Sequence, residues 1–350
     1  MLQYEIWFHE SKGLSCAEKR DLLARFHSAE RIFDADPLDL PEKIARLWFK
    51  TSEEKKCALE AAERLMRENE KRGIQVLSIQ DPCYRPEAKE HVAAPTLLYY
   101  LGTLPGPGQS IAALVGTRKA TSYGIRATEY LCRQYRESGW VIASGLASGI
   151  EAAAHRFGAE LGGILLGFAP HGLDLCNSGA TAILTEKILT SGAVLSPFSI
   201  GVPPFKHHFV RRNEILCSWS DEIVMVEGDA TSGAMAIGRM GLGFGKPVFA
   251  VPNQIFAHSS DGCNRLFQEG ARPFILKRTG KDVSENQFSR KLSRTGSAII
   301  TLLKELPLTP EELAVKTNGR IDQIQAELLD LELQDLVRFQ QDGKWHFTGW

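Results

Sequence analysis

The side chains best able to do chemistry in this chain fall in short loops that mix glycine, hydroxyls and cations. Gly116-Thr117-Arg118 ends an apolar run, Ile111 to Val115, and Ser144-Gly145-Leu146-Ala147-Ser148-Gly149 ends a second, Trp140 to Ala143. Lys206-His207-His208-Phe209 and Arg211-Arg212-Asn213 stand at the start of a helical pattern. Thr231-Ser232-Gly233 follows an apolar run that ends at Glu227. Arginine and the free amides that open a helix bind anions, phosphate above all. One mononucleotide does not need so many cations, whereas an extended phosphate backbone does. Each loop also has a plainer reading. Tight turns after strands require glycine anyway. Arg211 and Arg212 can pair with Glu214 or Asp221 on the surface, and Phe205 and Phe209 suit a core as well as a base platform. His155 reads as a packing residue. His207 and His208 have no evident carboxylate partner, so no metal site and no cofactor are expected.

The elements that must position these loops alternate. Ile111 to Val115 reads as a strand, Tyr123 to Ser138 as a helix stopped by Gly139, and Trp140 to Ala143 as a strand. Helices at Ile150 to Leu161, Ala180 to Leu189, Phe209 to Ser218 and Gly233 to Phe244 then alternate with strands at Gly163 to Gly167, Ala193 to Pro197, Glu222 to Glu227 and Pro247 to Val251. A long loop runs through Asn177-Ser178-Gly179, and Phe274 to Leu276 reads as a last edge strand. The pattern predicts a doubly wound α/β sheet, whose ligands bind at the carboxyl ends of the strands.

Residues 1 to about 50 read as helices at Cys16 to Phe26, Ala29 to Asp34 and Pro41 to Phe49. Leu14, Leu22, Leu23, Phe26, Ile32, Phe33, Leu47 and Trp48 would fill a small core. Thr279 to Thr295 reads as a linker. Beyond it, Thr309-Pro310-Glu311-Glu312 is a helix start between two further helices, Ser297 to Leu306 and Arg320 to Glu332, and a two-strand ribbon follows. That order is a winged helix. Its third helix sets Arg320 against Asp322, Glu327, Asp330 and Glu332, which favours protein contacts over DNA reading. The expected divisions are 1–72, a helical module with its connecting helix; 73–278, the sheet domain; 279–295, the linker; and 296–350, the winged helix.

Net charge is −1, so any nucleic acid must meet a local patch and not a polycation. Seven cysteines, widely spaced and without a CxxC, read as reduced thiols of a cytoplasmic protein. The first residues do not have the build of a secretory signal, and no apolar run is long enough to span a bilayer.

The ordered set of motifs resembles the DNA-processing protein A family, also called DprA or Smf. The residues that carry it are Val115-Gly116-Thr117-Arg118 with Tyr123-Gly124, Ser144-Gly145-Leu146-Ala147 with Gly149-Ile150, and Ala152-Ala153-Ala154-His155. They continue with Phe205-Lys206-His207-His208-Phe209, Arg212-Asn213, Ser232-Gly233, Val248-Phe249-Ala250-Val251-Pro252 and Gly262-Cys263-Asn264-Arg265-Leu266. The resemblance covers about 110–275, with looser likeness in both flanks. It implies an extended Rossmann-like doubly wound sheet with a small helical, sterile-alpha-motif-like N-terminal module and a C-terminal winged helix. It further implies a homodimer that binds single-stranded DNA and helps load RecA recombinase onto incoming DNA in natural transformation, without enzymatic activity. DNA contacts carry over to Arg118 and Lys206, and the family's R-N motif to Arg212 and Asn213. Ser148 and Glu214 stand where the family usually has arginine, which lowers the positive charge of the groove.

The expected mechanism follows from both lines. Arg118, Lys206 and Arg212, with Arg211 and Asn213 beside them, meet phosphates. Amides near Gly116, Gly145 and Gly233 bond phosphate oxygens with help from Thr117, Ser144 and Ser232, and Phe209, or His207 and His208, meets bases. With about three or four phosphates neutralised, the salt slope on single strands is roughly −2 to −3 per protomer. The rival readings are a nucleotide or nucleoside-phosphate hydrolase of the lysine-decarboxylase-like type, an NAD-dependent oxidoreductase, and a scaffold that has lost DNA binding. The first lacks its Pro-Gly-Gly signature and catalytic Glu at Glu227 to Ala234. The second lacks G-x-G-x-x-G after the first strand.

Overall fold

The computed structural model describes residues 1–45, 48–49, 51–177, 180–275, 293–332, 336–340 and 342–348. Leu47 of the expected core, Ser178 and Gly179 of the long loop, Leu276 of the edge strand and most of the expected linker lie outside the described residues. The chain forms two compact units, Met1–Ile275 and Leu276–Trp350.

The first unit opens with five helices: α1 (Leu2–Glu10), α2 (Cys16–Phe26), α3 (Ala29–Asp34), α4 (Glu42–Ala45) and α5 (Ser52–Lys71). Ser15 starts α2 with a capping box to Glu18, and Ser28 and Thr51 cap α3 and α5. Trp7, Phe33, Trp48 and Phe49 pack ring against ring at their centre. These helices are bound to the sheet by polar bonds. His9 Nε2 donates to the Pro197 carbonyl at 2.8 Å, and the Glu10 carboxylate accepts from the Tyr99 and Ser199 hydroxyls.

The sheet elements are β1 (Gln75–Ser78), α6 (Pro86–Glu90), β2 (Leu97–Gly102), β3 (Ile111–Gly116), α7 (Ser122–Glu137), β4 (Val141–Gly145), α8 (Ile150–Glu160), β5 (Leu165–Phe168), α9 (Ala180–Leu189) and β6 (Ala193–Ser196). They continue with α10 (Lys206–Trp219), β7 (Glu222–Glu227), α11 (Gly233–Gly243), β8 (Val248–Ala250), α12 (Asp261–Gln268) and β9 (Arg272–Pro273). The nine strands run in the order β1-β2-β6-β5-β4-β3-β7-β8-β9. From β6 to β9 in that order the strands are mutually parallel, while β2 runs antiparallel to β6 and β1 antiparallel to β2, with α6 in the connection between them. β3, β4 and β5 are buried on both faces, which is why they read as unbroken apolar runs. Helices cover both faces, as a doubly wound sheet requires.

Several boundaries differ from the sequence reading, among them that of the expected Pro41 to Phe49 helix, which is α4 alone. α10 starts at Lys206, three residues before the expected Phe209, because its N-cap is Phe205 and not a Ser, Thr, Asp or Asn. The last edge strand is Arg272–Pro273, just ahead of the expected Phe274. No helix among the described residues is long and apolar enough to cross a membrane.

The second unit holds α13 (Arg294–Glu305), α14 (Pro310–Thr317), α15 (Ile321–Glu332), β10 (Val337–Phe339) and β11 (Trp345–Phe347), the order of a winged helix. Thr309 and Glu312 form a reciprocal capping box around Pro310. Ser293 caps α13 through the Gly296 amide, so Arg294 and Thr295, expected in the linker, are helical. Ile299, Leu303, Leu313, Ile324, Leu328 and Trp345 form the core.

Candidate nucleic-acid interface

β4, β5 and β6 extend to one side of β3 while β7 pairs on the other, so the strand order reverses between β3 and β7. Loops at such a switch point part and leave a crevice at the carboxyl edge. Here the loop after β3 is firmly stitched. The Thr117 amide donates to the Glu227 carbonyl at 2.7 Å, and the Ile150 amide donates to the Thr117 carbonyl at 3.1 Å. The Glu227 carboxylate, fully buried at the end of β7, accepts from the Thr121 amide at 2.9 Å and the Thr121 hydroxyl at 2.8 Å. Its charge faces the first turn of α7, where helix amides favour an anion. Glu227 was not among the expected functional residues. Its signal in the sequence is an acidic residue directly after the apolar run Ile223 to Val226 and directly before Gly228.

Several expected phosphate ligands turn inward instead. Along α10 a helical stripe of buried positions, His208, Arg212, Ile215, Leu216 and Trp219, faces the sheet, with Asn213, Cys217 and Ser218 also buried. Arg212 is 5% exposed and its Nη1 lies 3.5 Å from Glu151 Oε2, so its charge is turned toward a buried carboxylate and away from solvent. Glu151 also accepts from the Ala147 amide at 2.9 Å, and His155 Nε2 donates to the Gly145 carbonyl at 3.0 Å. Burial lowers the His155 pKa to about 4. Ser144 is fully buried and its hydroxyl donates to the Leu114 carbonyl, away from solvent. Gly116 and Gly145 serve packing. A Cβ on Gly116 would stand 2.5 Å from Ile150 Cγ1, and one on Gly145 would stand 1.4 Å from Arg212 Nη1. Arg211 is held by Glu214 at 2.8 Å and donates to Cys16 Sγ, while Asp221 pairs with Arg85. His208 stacks on Phe198, with centroids 3.9 Å apart, and its Nδ1 donates to the Pro203 carbonyl. Burial also lowers its pKa, and little of its ring faces solvent.

What faces solvent is a smaller set. Lys206 and His207 are exposed on the first turn of α10, where no side chain caps the free amides. Phe205 is 53% exposed, and its ring lies parallel to that of His207, 5° between planes and 5.8 Å between centroids. Phe205, which the sequence left between core and base platform, is thus not a core residue. Arg118 and Lys119 are exposed, and the Arg118 guanidinium sits 5.9 Å from the centre of the half-buried Phe209 ring. This contact joins the β3 loop to α10. Thr117 is half-buried, with its hydroxyl accepting from the Lys119 amide. Ser232 caps α11 through the Met235 amide and donates to the Asp229 carbonyl, so its hydroxyl is engaged. Gly233 beside it is exposed and open. The structure thus unites Arg118, Phe209, Lys206 and His207 at one rim, leaves the Gly233 amide open at the α11 start, and withdraws Gly116, Ser144, Gly145, Arg212 and Asn213 into the scaffold.

Residues 75–286 match the family DNA recombination-mediator protein A, and residues 285–343 match the DprA winged helix domain. The chain is 35% identical over 206 residues to the DNA processing protein DprA of Streptococcus pneumoniae, covering 59% of this chain and 72% of the relative. It is 31% identical over 238 residues to protein Smf of Synechocystis, covering 65% of this chain and 56% of the relative. In structure it is similar to S. pneumoniae DprA, with a TM-score of 0.66 and 28% identity over 78% of this chain and 95% of the other. It is also similar to Helicobacter pylori DprA, a protein described for its single-stranded DNA binding mode, with a TM-score of 0.50 and 26% identity over 57% and 90%. With its sheet domain and its winged helix both matched, this chain belongs to the DNA recombination-mediator protein A family.

Proposed function

We propose that the chain binds single-stranded DNA along the carboxyl edge of its sheet with little regard to sequence. In this way it serves DNA processing and recombination by holding the strand, not by turning it over. One observation carries the reading: a parallel Phe205–His207 ring pair on an uncapped helix start, with Lys206 between them in sequence and Arg118 over Phe209 close by. Aromatic faces accept any base, and cations beside them follow the backbone. The single-strand binding described for the H. pylori relative supports it. Presentation of the strand to a RecA recombinase, action as a homodimer, and a cytoplasmic site belong to the same proposal. The test is fluorescence anisotropy with a labelled oligothymidine across a salt series, against a duplex of equal length. Salt-sensitive, single-strand-preferring binding that Arg118→Ala and Lys206→Ala each weaken is the expected result; absence of binding at low salt overturns it.

A further inference from the structure

The turn after β8 carries two large apolar side chains into solvent. Phe256 is 96% exposed and Ile255 is 73% exposed. The turn is closed by the Ala257 amide donating to the Gln254 carbonyl at 3.3 Å. It is also held at both ends. The Tyr123 hydroxyl, on the first turn of α7, donates to the Pro252 carbonyl at 2.5 Å, and the Gly228 amide, after β7, donates to the Ser259 carbonyl at 2.8 Å. Its anchors are therefore the elements that flank the switch point. β8 stands two strands from β3, about 10 Å along the same carboxyl edge. Tyr123, 39% exposed, lies between the Arg118 loop and the turn.

We infer that this turn, with Phe256 at its tip, is a second base-stacking platform for the same single strand. The inference rests on the single-strand reading and extends its track from the Phe205–His207 pair, past Arg118 and Tyr123, to β8. The occupant is a nucleobase and not a second copy of the chain. Two side chains on one turn fall far short of the roughly 800 Å² that each partner contributes to a stable protein interface. The nearby carboxylates are already engaged, Asp229 by the Thr231 amide and hydroxyl and Asp261 by His258 at 2.9 Å. The surface offered to the strand is thus an aromatic face on a held turn, sequence-tolerant like other stacking platforms.

The test uses the full chain with two oligothymidines, of about 4 and about 16 nucleotides. Phe256→Ala is expected to leave the shorter affinity within about twofold and to weaken the longer by roughly 5- to 150-fold, the loss of one stacked base. Phe256→Tyr is expected to restore the longer affinity. Because Phe256 makes so little contact with the fold, neither variant threatens folding. If Phe256→Ala binds both lengths like the parent while Lys206→Ala weakens both, the platform is overturned and the groove stands. If the parent binds neither, both readings fall. If Phe256→Ala turns a dimer into a monomer on sedimentation with unchanged affinity per protomer, the turn is a contact between copies and the inference is overturned.

Discussion

Which arginines and lysines meet the strand can be read from the salt dependence of binding. At the rim the exposed cations are Arg118, Lys119 and Lys206, whereas Arg212 is buried against Glu151 and Arg211 is held by Glu214. Three phosphates neutralised on a single strand give a slope of about −2.1 in log affinity against log salt, so a tenfold rise in salt weakens binding roughly 100-fold. Lys206→Ala leaves two, a slope of about −1.4 and a loss of roughly 25-fold over the same range. The paired variant Glu151→Gln with Arg212→Met removes the buried charges together, which proteins often tolerate, and the slope is expected to stay at about −2.1. Anisotropy titrations at four or more salt concentrations measure all three. The burial argument is refuted if the folded double variant loses about 0.7 from its slope while Lys206→Ala loses nothing.

Further outcomes follow from the scaffold. Glu227→Gln replaces an acceptor of two Thr121 donors by a group that is half donor, and is expected to cost about 1–3 kcal/mol, a fall of roughly 2–12 °C in the Tm of the first unit by calorimetry. Gly139 and Gly149 both have positive φ, but a Cβ at Gly139 meets nothing within 4 Å, while one at Gly149 would stand 2.2 Å from the Thr117 carbonyl oxygen. Gly139→Ala should therefore cost only about 1–2 kcal/mol. Gly149→Ala should cost more in denaturant titrations and also displace Arg118. His155 takes its proton near pH 4 when folded and near 6.5 when unfolded, so its contribution is complete above pH 6.5 and is lost as pH falls toward 4. The loss is about 3 kcal/mol, and His155→Gln should flatten that part of a stability-against-pH curve.

The sheet was legible because β3, β4 and β7 are buried on both faces, so their sequences are apolar without alternation and end at glycine or Glu227. The winged helix was legible because Thr309, Pro310 and Glu312 spell a helix start in local chemistry. α1 was not singled out: Ile6, Trp7 and Phe8 are buried in succession, and no side chain caps its start. The site was half legible. Arg118 and Lys206 are exposed as their charges suggest, but Arg212 lies inward because its place on the α10 stripe outweighs its charge once Glu151 neutralises it. Gly116 and Gly145 read alike in sequence whether a ligand or a side chain approaches them. The neighbours that decide, Ile150 and Arg212, come from other elements.

The two margins of the nine-stranded sheet have a consequence for crowding. Were several copies to bind one strand, as the proposed function allows, their sheets would stand close beside one another, the condition under which open strand edges join into fibrous aggregates. One margin is the four-residue β1, and the other is the two-residue β9, whose Pro273 has no N–H to donate. Both are too short to seed a further strand. Neither margin therefore offers a backbone template by which neighbouring copies of the chain could fuse, and any contact between copies would fall to side chains.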